Sequence, residues 1–255
     1  MRFRHLALAA LIGTMPIAAG AQQSTQASVA AGDRAYESLQ VADALTQFES
    51  AIEADSSHYE ALWKASRAAV DLAEYEPNAQ RKQALFEQAE RHARRAVAVN
   101  ANDAEGHFAM ARALGRVALT KGVRDRVRYA TQVRASALRA LELSADHPGA
   151  LHVLGRWNAE VMRLSGLSRF FAKNLLGGRV FDQANWDDAR RYLERAVAVD
   201  PQRLVHNLGL AEIYLDLKET GKAREQLTLV VNGTASDYND QHYQREARAL
   251  LEKIG

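Results

Sequence analysis

One short phrase returns four times along this chain. It reads AIEADSS from Ala51, AVAVNAN from Ala96, RALELSA from Arg139 and AVAVDPQ from Ala196. Internal repetition is a strong constraint on architecture, because each unit can bury its apolar face only against its neighbours. The phrases close stretches that carry small or apolar residues at offsets of four and three. Ala44, Phe48 and Ala51 form one set, and Ala89, Ala93 and Ala96 a second. Ala189, Leu193 and Ala196 form a third, and Ala223, Leu227 and Val230 a fourth. Those offsets put each set on one face of a helix, where small side chains let a second helix approach closely. Composition agrees. The chain has no cysteine, which excludes disulfide frameworks, cysteine-ligated metal sites and a thiol nucleophile. Only 4 prolines and 15 glycines in 255 residues disfavour a linker-rich or collagen-like chain.

A second helical stretch precedes these sets. Leu151, Leu154 and Gly155 stand at the offsets of the tetratricopeptide W-x2-L-G pattern. Leu62, Ala65 and Ser66 occupy the same offsets in another unit, as do His107, Met110 and Ala111. Over most of residues 30–235 the chain resembles tetratricopeptide-repeat proteins. The resemblance implies an all-α, right-handed superhelix of antiparallel helix pairs, with about five pairs and a capping helix. The domain is expected over 31–255, with inserts at about 70–88, 116–132 and 163–185. The capping helix is expected over 240–254, with Asp240 as N-cap and Tyr243, Ala247, Leu250 and Leu251 as its apolar stripe.

The third insert carries a further likeness. Leu154-Gly155-Arg156-Trp157, Leu164-Ser165 and Leu175-Leu176-Gly177 resemble a pattern in the regulator of microtubule dynamics family, whose members carry a divergent tetratricopeptide-like domain. That resemblance implies a binding domain and makes phospholipid a ligand worth testing.

The N-terminus reads differently from the rest. Arg2, Arg4 and His5 precede an apolar core from Leu6 to Ile12, and Ala19-Gly20-Ala21 fits the small-x-small cleavage rule. Residues 1–21 are therefore expected to be a secretory signal peptide cut before Gln22, followed by a flexible lead-in over 22–30. The stretch is shorter than the ~20 apolar residues of a spanning helix. The expected location is the periplasm or the exterior, with no transmembrane segment after cleavage. The signal holds two of the 33 basic residues and none of the 31 acidic ones, so the remainder is formally neutral. A nucleic-acid partner, which needs a net basic footprint, is not expected.

No catalytic motif is present: no G-x-S-x-G elbow, no H-E-x-x-H and no phosphate loop. His147 and His152 are five apart, on different helix faces, which spoils them as a metal pair. Asp187-Asp188 open a helix, where acids complement its dipole. A non-enzymatic protein without cofactor or metal is expected.

Binding residues emerge when the units are aligned by phase. The resemblance to tetratricopeptide repeats implies that the first helix of each pair lines the concave face through its fifth and ninth positions. Position five is Trp63, Phe108, His152 and Leu208, and position nine is Arg67, Arg112, Arg156 and Glu212. Four residues apart on a helix, the two positions stack. Three units would thus present a ring beside a guanidinium, a groove suited to an acidic peptide or a partner's segment. The alternative is that Arg67, Arg112 and Arg156 pair with acids on neighbouring helices. From Arg112 to Arg139 there are eight Arg or Lys against Asp125, so basic charge gathers in the middle third. The insert adds Leu167, Phe170, Phe171 and Leu175. They read either as core over the superhelix or as an apolar site for anionic phospholipid.

Overall fold

The computed structural model describes residues 17–166, 168 and 179–255. Among them are α1 (Ile17–Glu37), α2 (Val41–Ala54), α3 (Tyr59–Glu74), α4 (Ala79–Val99), α5 (Ala104–Ala118) and α6 (Val123–Leu143). There follow α7 (Pro148–Arg163), a short 3-10 turn (Arg179–Gln183), α8 (Trp186–Val199), α9 (Leu204–Asp216), α10 (Thr220–Asn232) and α11 (Asp240–Lys253). Consecutive helices pack as five pairs, and α11 closes the series against α9 and α10. Odd-numbered helices also touch from one pair to the next, so they form the inner wall of the superhelix.

The small-residue sets are the cement. Ala44, Phe48, Ala51, Ala89, Ala93, Ala96, Ala189, Leu193, Ala196, Ala223, Leu227 and Val230 are all fully buried. Gly155 shows why small residues are needed: a Cβ there would lie 2.6 Å from Leu193 Cγ and 3.1 Å from the Ala189 carbonyl oxygen. The returning phrase ends α2, α4 and α6 in the same way. The backbone turns extended at Asp55, Asn100 and Ser144, whose N–H groups still reach back to the preceding turn. Three residues on, the next helix is capped by His58, Asp103 or His147, each accepting a backbone N–H on its side chain. Two of the return turns carry a residue at positive φ, Leu39 (60°) and Lys218 (62°). There the N–H groups of Gln40 and Glu219 reach back five residues to Ala35 and Tyr214, a Schellman-type closure.

Three expectations need correction. Residues 22–30 are not a flexible lead-in: they belong to α1, with Thr25 and Val29 buried. Glutamine, serine and alanine there carry no charge run that would resist packing. The extra lengths at 70–88 and 116–132 are not loops between helices. They fall on the ends of α3 and α5, the short turns after them and the first halves of α4 and α6, each 21 residues against 14 in α2 and α8. Asp240 does not cap α11 from outside. It is the first helical residue, after Asn239, and its carboxylate accepts the N–H groups of Ser236 and Asp237.

Candidate functional site

The inner wall holds the residues that the phase alignment picks out. Trp63 and Arg67 on α3 and Phe108 and Arg112 on α5 line one narrow cleft, together with Ser66, Val70 and Glu105. On α7 and α9 the equivalents separate. Arg156 pairs with Glu212, His152 turns to His206, and Leu208 is buried in the core around α10 and α11.

Charge on this wall is largely cancelled in place. Arg112 donates to Asp71 at 2.5 Å and lies 3.8 Å from Glu74, both on α3. Arg116 pairs with Glu74, and Arg163 reaches Asp216 at 2.6 Å. Asp71 also accepts the Tyr36 hydroxyl at 2.6 Å. Burial, with the Asp71 charge adding to it, pushes the Tyr36 phenol far above its ordinary range. The row of three open arginines is thus reduced to one. Arg67 stacks 3.8 Å over the Tyr36 ring and 5.3 Å from Trp63, and its Nε meets no acceptor among the described residues.

Local sequence explains these positions. In Leu154-Gly155-Arg156-Trp157-Asn158, Trp157 donates to the Ala130 carbonyl at 2.8 Å and meets Phe181 edge-on at 6.0 Å. Asn158 donates to the Leu154 carbonyl and accepts the N–H of Asn185, which sets the start of α8. The motif is therefore a packing device that ties α7 to α6 and to the returning chain. Phe181 is core. Leu167, Phe170, Phe171 and Leu175 lie outside the described residues.

His152 is not a ring presented to a ligand. Its Nδ1 lies 3.2 Å from Nδ1 of His206, so one ring donates and the other accepts. Burial pushes both below the ordinary histidine value. Arg203 and His147 push His206 further, to about 3, and His206 and Arg156 act the same way on His152. The unfolded chain therefore takes up protons first as pH falls. The stability present above pH 6.5 is lost between about 6.5 and 3. Going from pH 7 to pH 5 is expected to cost about 2 kcal/mol through His206 alone. Urea unfolding across that range measures it. A slope just as steep in His206→Gln would refute the assignment.

The C-terminal segment also reaches this wall, which sequence reasoning missed. Arg203, ahead of α9, holds Asp237 at 2.5 Å. Asn239 donates its amide to the Asp71 carbonyl at 3.1 Å. His242 stacks on Tyr75 at 3.8 Å, and the Tyr75 hydroxyl donates to Glu246 at 2.8 Å. The α3-side and C-terminal partners stand some 170 residues apart, beyond any local pattern.

Among the described residues, no three or more metal-ligating side chains cluster, and no helix is long and apolar enough to cross a membrane. The family model for regulator of microtubule dynamics proteins 1–3 matches residues 28–255. Regulator of microtubule dynamics protein 1 of Bos taurus is 28% identical over 81% of this chain, and that of Mus musculus 26% over 77%. The matches span 64% and 65% of those relatives' own lengths. A thermophilic TPR protein of Thermus thermophilus superposes with a TM-score of 0.60 at 20% identity, over 88% of this chain and 99% of its own. That likeness shows the tetratricopeptide-type superhelix.

Proposed function

Because the chain belongs to the regulator of microtubule dynamics family, we propose that it is an exported, non-enzymatic scaffold that takes an acidic segment of a partner protein on its inner wall. The observation that carries this reading is Arg67. It is a guanidinium stacked on Tyr36 and Trp63 at the edge of the cleft, while Arg112 and Arg156 are occupied by Asp71 and Glu212. A stacked guanidinium keeps its fork of donors for a carboxylate. Trp63 and Phe108 beside it supply apolar contact area. Export rests on the basic, apolar and small-x-small elements of residues 1–21.

The test is fluorescence anisotropy with a labelled peptide of alternating glutamate and leucine. Arg67→Ala is expected to weaken binding about 10- to 100-fold, the loss of a hydrogen bond to a charged group. Arg67→Lys, which keeps the charge and loses the fork, should fall between. Unchanged affinity in Arg67→Ala would sink the reading. Native mass spectrometry of the exported protein is the companion measurement. A mass beginning at Gln22 supports cleavage, and co-purified phospholipid would favour the lipid alternative over a protein partner.

A further inference from the structure

The inner wall is already occupied next to the Arg67 cleft, and the occupant belongs to the same chain. The segment from Ser236 to Glu246 runs past the C-terminal half of α3. It presents a carboxylate, an amide, a ring and a second carboxylate in succession. Asp237 meets Arg203, Asn239 meets the Asp71 carbonyl, His242 lies flat on Tyr75, and Glu246 takes the Tyr75 hydroxyl. Tyr243 adds an edge-on contact to Tyr75 at 6.1 Å. The other side of α11 is fixed differently. Tyr243, Ala247, Leu250 and Leu251 pack with Leu204, Leu208, Leu227 and Val230 of α9 and α10. The segment is thus held by apolar burial against α9 and α10, which Tyr75 borders, and by a few polar and ring contacts with Asp71, Tyr75 and Arg203.

The two kinds of contact differ in how readily they exchange. Apolar burial on α9 and α10 is lost only when the helix leaves. Polar and stacking contacts can be traded one for one with a competing segment that offers the same groups, because the donors and acceptors left behind are satisfied again. Arg203 lies near the Tyr36, Asp71 and Arg112 cluster and adds to its electrostatics. It is therefore a second guanidinium on the wall, held by an acid from this same segment.

We propose that the wall formed by Tyr75, the Asp71 carbonyl and Arg203 is a docking surface for an acidic partner segment carrying an amide and a ring, and that residues 236–246 are its resting occupant. The class of partner rests on the acidic-segment reading above. Binding then proceeds by displacement: the partner's carboxylate replaces Asp237 on Arg203 and its amide replaces Asn239. The partner's site would extend from Arg67 along α3 to Tyr75.

The probe is a fluorescein-labelled peptide of the chain's own residues 234–246, added to the whole protein. The double variant Asp237→Asn/Asn239→Ala weakens the occupant without touching α3. Hydrogen exchange of the α11 amides is expected to be at least tenfold faster in it than in the wild type. The peptide is expected to bind it at least tenfold more tightly, and adding Arg203→Ala should abolish that gain. Helicity by circular dichroism checks that each variant folds. Unchanged exchange in the double variant would overturn the proposal, because these contacts would then not hold the segment. Faster exchange without tighter peptide binding would overturn it too, since the exposed wall would have no affinity for such a segment. Self-peptide binding that survives while the alternating acidic peptide ignores Arg67 would keep this surface and reject the Arg67 cleft. The reverse pattern would keep the cleft and reject this surface.

Discussion

Asp71→Ala is expected to destabilise the chain by about 3–5 kcal/mol, the usual cost of removing one partner from a buried ion pair. Asp71 is only 4% exposed, and it serves three neighbours at once. Its carboxylate accepts Arg112 at 2.5 Å and the Tyr36 hydroxyl at 2.6 Å, and its backbone carbonyl accepts Asn239. Truncation leaves a guanidinium and a phenol in the interior without their acceptor. Thermal and urea unfolding read the loss. The second arm is Asp71→Ala with Arg112→Met. Removing both charges should recover a good part of the loss, because the double variant has no orphaned ion. If the double variant is as unstable as the two single variants added together, the two side chains do not act as a pair.

The other large effect is expected at Phe48. Phe48→Ala should cost about 3–5 kcal/mol, since it removes a fully buried ring from the α1–α2 interface. The ring leaves no slack: a Cβ on Gly32 would come within 2.5 Å of Phe48 Cε1. The helix that it holds includes residues 22–30, so the prediction also tests whether that stretch is structured. Urea unfolding gives the free energy, and proteolysis near the N-terminus gives the location. A loss below about 1 kcal/mol would mean that α1 is not packed on α2.

The parts of the fold that follow from a period were legible, and those that follow from distant pairing were not. Leu193 and Ala196, or Leu227 and Val230, declare a buried face because side chains at offsets of three and four must share one side of a helix. The 21-residue lengths of α4 and α6 were less legible, because their first turns carry few apolar residues and look like loop. The same logic divides the site. Phase alignment brings Trp63, Arg67, Phe108 and Arg112 to one cleft. It does not reveal that Asp71, one turn beyond Arg67, neutralises Arg112 on the next pair. Nor does it find Tyr36 on the neighbouring first inner helix, or Arg203 and Asn239, whose roles depend on how far the superhelix has turned by its last inner helix. His152 has the phase of a groove residue, but His206 on the adjacent inner helix claims its ring.

The contact between Asn239 and Asp71 has a consequence for how the molecule comes apart. A linear array of helix pairs has two ends, and each end repeat has one neighbour fewer than the rest, so loss of structure begins there and spreads inward. Here the terminal helix is tied to the second pair through Asn239 and Tyr75, and Arg203 is tied to the segment before α11. The array is thereby made circular in its interactions although it is linear in its chain. Fraying at the C-terminus must first break contacts that belong to the N-terminal half, which couples distant repeats into one melting unit.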